Sequence, residues 1–187
     1  MAVLERLRAE TRSEHLAIEA ALGLGNGDVT LPRYRHLLER FYGFYRPLEP
    51  DLRTLGCWAA QHIDLAGRAK VERLARDLAA LGVDPATLAI CEERPRPRTA
   101  AEGFGVLYVL EGATLGGQVV AHHLRRSLSL TAENGGSFFQ GYAERTAAMW
   151  QEFRNALAAL PLGPAEEDAL VRAAVETFVC LRAWCSR

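Results

Sequence analysis

The middle of the chain contains the stretch Leu110-Glu111-Gly112-Ala113-Thr114-Leu115-Gly116-Gly117-Gln118, which has the apolar spacing of a helix. Each glycine inside a helix costs about 0.8 to 1 kcal/mol relative to alanine, so this helix needs a compensating interaction. Gly112 and Gly116 are four residues apart and share a helical face, on which Gly105 also falls. The glycines therefore predict either close helix packing or close approach of the backbone to a planar ligand.

A histidine near the N-terminus stands out in the stretch Thr11-Arg12-Ser13-Glu14-His15-Leu16-Ala17-Ile18-Glu19. It belongs to an apolar helical face that consists of Leu4, Leu7, Thr11, His15, Ile18 and Leu22. A lone histidine on such a face is usually a hydrogen-bonded core residue. Arg8 and Glu19 flank His15 on the same side of the helix, so a ligand-binding role is also open. Glu19 would then orient the imidazole through its other ring nitrogen.

Composition predicts one cytoplasmic domain over residues 1–187. The chain is 49% hydrophobic, with 22 basic and 23 acidic residues, and this balance excludes the strong positive field typical of nucleic-acid-binding proteins. The charged N-terminus lacks the apolar core of a signal peptide, and no stretch is expected to supply the roughly 18 uncharged residues of a membrane span. The spacing of Cys57, Cys91, Cys180 and Cys185 matches no zinc or redox motif, so reduced packing cysteines are expected.

Helical periodicity extends nearly throughout, and no stretch alternates as a strand does. The predicted fold is an all-α, compact single-domain bundle of about seven helices. In the first half of the chain, the predicted elements are a first helix ended by residues 23–27, a second helix from Thr30 to Pro47, and one or two helices over residues 49–81 with a break near Gly56 or Gly67. A loop is predicted at residues 94–98. After it, we predict a long helix from a capping box at Thr99 to about Leu128, a helix from a capping box at Ser137 to near Pro161, and a last helix after Gly163.

Together the two stretches resemble the heme oxygenase family. Residues 11–19 are similar to its proximal helix and residues 111–118 to its distal helix, and the resemblance spans nearly the whole chain. The bacterial branch that supplies biliverdin to phytochromes is the most similar, as judged from residues 108–112 and the run Arg40-Phe41-Tyr42-Gly43-Phe44-Tyr45.

This resemblance implies an enzyme for which heme is both substrate and cofactor. It would degrade heme to biliverdin, carbon monoxide and ferrous iron with O2, and a bacteriophytochrome would accept the biliverdin. Residues 112–117 are not a strand-led dinucleotide motif, so the electrons would come from an external reductase or a ferredoxin-type protein. By resemblance, His15 is the iron ligand, Gly112, Gly116 and Gly117 lie over the distal heme face, and Arg8 and Arg154 pair with heme propionates unless they are solvated surface arginines.

The chain departs from the family at two positions. Animal members carry an aspartate that anchors a water network where this chain has Ala113, and Trp150 replaces an expected propionate-binding lysine. Glu111 is turned about 200° from Ala113 and is no simple substitute. The sequence does not choose among Gln118, His122 and His123 as other groups that would hold the waters.

Two alternative functions follow from these departures and from the ambiguity of the glycines. One is a non-enzymatic heme-binding or heme-sensing protein on the same scaffold. The other is a helical interaction module in which His15 is a core residue and the glycines only pack.

Overall fold

Every regular element is helical in a computed structural model that describes residues 3–23 and 29–187. The helices are α1 (Val3–Leu22), α2 (Leu31–Arg53), α3 (Leu65–Arg68), α4 (Val71–Ala80), α5 (Ala100–Leu128), α6 (Thr146–Ala158) and α7 (Pro164–Cys185). Short 3₁₀ turns occupy Ala59–Gln61, Pro85–Thr87 and Ala143–Arg145. The all-α prediction is confirmed.

Side-chain caps open two of the long helices where the sequence predicts them. The Thr30 hydroxyl accepts a hydrogen bond from the Arg33 amide at the start of α2. The Thr99 hydroxyl accepts from the Glu102 amide while the Glu102 carboxylate accepts from the Thr99 amide, which is the predicted capping box of α5.

Glycine ends α1, as expected. Gly23 has a φ of 59°, in the left-handed region where an L side chain is strained. The rest of the predicted stop, residues 24–27, lies outside the described residues.

The predicted end of α2 at Pro47 is wrong, because this helix continues through Pro47 and Pro50 to Arg53. Leu48 and Leu52 are completely or almost completely buried on its inner face. Their burial outweighs the backbone hydrogen bonds that the prolines remove. The remainder of residues 49–81 contains α3 and α4.

The helix predicted from a capping box at Ser137 is also wrong, because α6 begins at Thr146. The buried Asp77 carboxylate accepts the Ser137 and Phe138 amides at 2.9 and 2.7 Å. These bonds hold the segment as an irregular loop rather than a helix start. The loop turns Phe138 and Phe139 towards the interior.

The long helix α5 crosses the core, where it packs mainly against α7 and also against α6. Phe104 on α5 stacks with Phe153 of α6 at a centroid distance of 5.9 Å. Trp150 also stacks with Phe153, at 5.4 Å, and meets Tyr108. Trp150 is therefore a packing residue between α5 and α6.

By length and composition alone, α5 is apolar enough to cross a bilayer, and it is the one such helix in the described ranges. Glu111 interrupts it, so the helix contains no run of 18 uncharged residues. Half of its most apolar window is buried inside the bundle, and Glu111 within it is buried too. The helix thus has the environment of a core helix.

The four cysteines are free thiols, in agreement with the packing prediction. Burial raises the pKa of Cys185 to about 12 and also raises the pKa of Cys57, Cys91 and Cys180. Neutral thiols behave as small apolar groups. Across residues 3–23 and 29–187, no cluster of three histidine, cysteine or acidic side chains is arranged to hold a metal ion.

Candidate functional site

A cleft of about 380 Å³ lies between α1, α2, α5, α7 and the loop before α6. Its lining comprises His15, Ile18, Glu19, Leu22, Phe41, Tyr45, Val109, Gly112, Ala113, Gly116, Gly117, Val119, Val120, Phe138, Phe139, Phe178 and Leu181. Only His15, Glu19 and Tyr45 among these carry ionisable side chains. An apolar cleft with so few polar groups is typical of a site for a large apolar ligand.

His15 stands on one wall of this cleft, with 52% of its side chain exposed. Its ring meets the Phe178 ring edge-on, with the centroids 5.8 Å apart. Nδ1 lies 3.6 Å from a carboxylate oxygen of Glu19, which is longer than a hydrogen bond. Nε2 has no hydrogen-bond partner within the described residues. The interpretation of His15 as a core residue is therefore wrong.

Gly112 and Gly116 form an open part of the opposite wall. A β-carbon added to either glycine would meet no atom within 4 Å. Protein packing therefore does not require glycine at these positions. The space next to them is available to a ligand.

Gly105 and Gly117, in contrast, are packing glycines. A β-carbon at Gly105 would lie 2.1 Å from the Leu170 carbonyl oxygen, and one at Gly117 would lie 2.9 Å from the Phe139 carbonyl oxygen. Gly117 also lines the cleft. The packing interpretation thus applies to Gly105 and Gly117, whereas the ligand interpretation stays a prediction for Gly112 and Gly116.

Ala113 lines the cleft without a carboxylate, and none of the three proposed substitutes, Gln118, His122 and His123, is among the lining residues. The cleft lining also contains Tyr45 of α2, which was not predicted from the sequence as a site residue. Its hydroxyl is the only one among the lining residues. Its hydroxyl has no hydrogen-bond partner in the part of the chain that the structure describes, and burial raises its pKa. The aromatic run at residues 40–45 contained the signal, since Phe41 and Tyr45 share a helical face.

Polar groups lie directly behind the apolar wall. Tyr45 also borders a small cavity together with Glu49, Arg68 and Lys70. The Glu49 carboxylate accepts the backbone amides of Lys70 and Val71 at 2.6 and 3.1 Å, and burial raises its pKa. The Tyr45 side chain therefore separates the cleft from a buried polar region.

Glu111 belongs to that polar region and faces away from the cleft, in agreement with its predicted direction. Its buried carboxylate accepts Lys70 Nζ at 2.8 Å, the Tyr142 hydroxyl at 2.6 Å, and an Arg68 guanidinium nitrogen. The buried Arg68 and Lys70 gave no recognisable sequence signal, because charged residues in a short connection usually face solvent.

Neither of the two predicted propionate partners lies in the cleft wall. Arg8 is exposed on α1. Arg154 borders a separate groove with Val3 and Leu4, and its Nη1 donates to Gln151 at 3.4 Å. Their roles stay predictions.

Comparison with known proteins places these features in context. Residues 1–187 match the heme oxygenase family model. A curated heme oxygenase from Xanthomonas campestris pv. campestris (strain 8004) is 32% identical over 138 residues, which cover 72% of this chain and 77% of the relative.

Solved structures agree in fold. The NO- and CO-bound heme oxygenase of Neisseria meningitidis superimposes with a TM-score of 0.82 at 22% identity, covering 99% of this chain and 92% of that one. The Leptospira interrogans heme oxygenase gives 0.80 at 22% identity, covering 100% and 99%. Heme oxygenase-1 from the cyanobacterium Synechocystis sp. PCC6803, in complex with heme, gives 0.78 at 18% identity, covering 99% and 91%.

The two kinds of glycine predict opposite effects of alanine on stability. Gly105→Ala should lower the free energy of unfolding by about 1 to 3 kcal/mol because its β-carbon overlaps a backbone oxygen. Gly116→Ala should raise it by up to about 1 kcal/mol, since helix propensity improves and nothing is displaced. Urea denaturation of the ligand-free proteins measures both. Equal destabilisation by the two substitutions would show that Gly116 is also a packing glycine.

Proposed function

The chain belongs to the heme oxygenase family, and on that premise we propose that it binds heme as both substrate and cofactor. It degrades this heme to biliverdin, carbon monoxide and ferrous iron, with O2 and external electrons. The observation that carries the proposal is the cleft between His15 and the open faces of Gly112 and Gly116. The interaction-module alternative does not fit an exposed His15 opposite empty space.

The residues present fit heme, whose iron supplies the oxygen-activating chemistry when it is bound. His15 would hold the iron through Nε2, since Nδ1 faces Glu19. The Glu19 carboxylate would orient the imidazole from the second ring nitrogen after a small closing movement. Phe178 supports the same ring from its edge.

The α5 side of the cleft would admit a planar ligand because it carries no side chain at Gly112 and Gly116. Gly112 and Gly116 let the backbone approach the ligand and offer no side chain that competes for the iron. Phe138 and Phe139 restrict water from the loop side. The protein thus contributes placement and polarity, while the cofactor carries the oxidation.

Tyr45 is our candidate for proton delivery in place of the missing carboxylate at Ala113. Among the described residues, Tyr45 is the one that lines both the cleft and the cavity of Glu49 and Lys70. A phenol can pass a proton while remaining neutral, if it donates one hydrogen bond and accepts another. Ordered water would connect it to the reacting atoms.

We extend the proposal to the partners that the family resemblance implies. A ferredoxin-type protein or a reductase supplies electrons in the cytoplasm, because the chain has no flavin or nicotinamide motif. A bacteriophytochrome accepts biliverdin, on the resemblance of residues 40–45 and 108–112. The resemblance also implies Arg8 and Arg154 as propionate partners, although neither residue lines the cleft.

A non-enzymatic heme sensor is the second candidate, and Ala113 is the observation that favours it. Turnover decides between the two. With heme, O2, catalase and a ferredoxin-type or chemical reductant, the Soret band should disappear while biliverdin and carbon monoxide form. Recovery of intact heme after reduction and reoxidation would support the sensor, and absence of heme binding would contradict both functions.

His15→Ala should abolish the absorption spectrum of histidine-ligated heme, because no other histidine lines the cleft. Heme titration followed by absorption spectroscopy measures this. His36→Ala is the matched control, since His36 is exposed on α2 near Glu39 and should leave the spectrum unchanged. An unchanged spectrum in His15→Ala would refute the ligand assignment.

Gly112→Leu and Gly116→Leu should weaken heme binding by about tenfold or more, because the new side chain occupies the open space beside the ligand. The melting temperature of the ligand-free variants should not fall, since leucine improves helix propensity. Heme titration and thermal unfolding are compared for each variant. Wild-type affinity in a well-folded variant would mean that the ligand lies elsewhere.

Tyr45→Phe should slow biliverdin formation by about 10²-fold if the hydroxyl delivers protons. Stability should be unchanged or slightly higher, because the hydroxyl has no protein partner to lose. Tyr34→Phe is the control: it breaks a 2.7 Å bond to the Gly135 carbonyl, so it should lower stability and spare the rate. Rates measured between pH 6 and 9 would expose a replacement donor; a wild-type rate at every pH would exclude Tyr45.

A further inference from the structure

The glycine segment of α5 needs support from the side opposite the cleft. Gly112, Gly116 and Gly117 lower helix propensity, and the first two make no packing contact through their bare faces. A helix with one empty side is free to rotate or slide unless its other side is held. Glu111, directly before Gly112, lies on that other side.

Three donors from three separate elements converge on the Glu111 carboxylate. Arg68 ends α3, and Lys70 precedes α4; Nζ of Lys70 donates to Oε1 at 2.8 Å. The Tyr142 hydroxyl, from the turn before α6, donates to the same oxygen at 2.6 Å, while Arg68 donates to Oε2. We call these four residues the Glu111 cluster.

The cluster is anchored beyond α5 as well. Nη2 of Arg68 donates to the Met149 carbonyl oxygen at 3.0 Å and approaches a Glu152 carboxylate oxygen at 3.3 Å, both on α6. Arg68 and Glu111 are almost completely buried. Donors that approach one carboxylate from several directions restrict both the rotation of the side chain and how far it extends into the interior.

Charge makes this arrangement specific to a carboxylate. Two buried cations, Arg68 and Lys70, share Glu111 as their one buried acidic hydrogen-bond acceptor among the described residues. Displacement of Glu111 would leave both cations without that partner in a medium of low polarity. The position of Glu111 is therefore strongly determined.

We propose that Glu111 is a positioning residue: through the Glu111 cluster it sets the rotation of α5, so that Gly112 and Gly116 rather than bulkier neighbours face the ligand. A turn of α5 by one residue would bring Leu115 towards the cleft in place of Gly116. The consequence for catalysis rests on the proposed function, but the consequence for α5 does not.

Amide hydrogen exchange of the heme-free protein tests the inference independently of any activity. Glu111→Gln removes the charge. Tyr142→Phe removes the hydrogen bonds that the hydroxyl donates to Glu111 and accepts from Lys70 while leaving both ion pairs, so it serves if Glu111→Gln does not fold. In either variant, the amide exchange rate of residues 110–120 should rise by about tenfold or more relative to that of α7. Asp51→Asn is the control, because it breaks a comparable 2.8 Å pair with Arg94 without touching α5.

Heme binding supplies the second readout. In Tyr142→Phe, heme affinity should fall and the ratio of biliverdin isomers should change, since the distal surface is displaced, while Asp51→Asn should keep both. A uniform rise in exchange across all helices, or no rise over residues 110–120, would overturn the inference. Absence of heme binding in the unmodified protein would instead contradict the proposed function and leave the exchange result to decide the role of Glu111.

Discussion

The structure depends on one constraint: α5 must be a core helix on one side and a bare surface on the other. Gly112 and Gly116 leave space towards the cleft, whereas Gly105 allows α7 to approach within contact of the backbone. The ion pairs of Glu111 hold the helix from behind. The packing at Gly105 and the buried ion pairs of Glu111 thus hold α5 on either side of its bare surface.

The same division between apolar and polar sides governs the chemistry of the cleft. The wall is apolar except at His15, Glu19 and Tyr45, so a bound ligand would be shielded from bulk water. The charged groups lie one layer behind this wall. A buried polar layer can supply protons without exposing the reacting atoms to solvent, and this separates the site from an ordinary hydrophobic pocket.

Membership of the heme oxygenase family does not by itself explain how this chain works without a carboxylate at Ala113. The groups proposed from sequence as substitutes, Gln118, His122 and His123, do not line the cleft. Tyr45 comes from another helix, α2, which extends past two prolines because its inner face is buried. On the proposed function, Tyr45 of α2 supplies the polar group that Ala113 of α5 lacks.

The sequence by itself determined the all-α class and the capped start of α5, because periodicity and capping are local properties. The two helices that face each other across the cleft were implied by the family resemblance. The sequence did not separate packing glycines from open ones, since that depends on whether Leu170, Phe139 or nothing lies opposite. It also did not predict the irregular loop at Ser137, whose amide donates to Asp77, or the burial of Arg68 and Lys70 around Glu111. Only the tertiary structure decided these features, because each depends on a partner that lies more than 20 residues away in the chain.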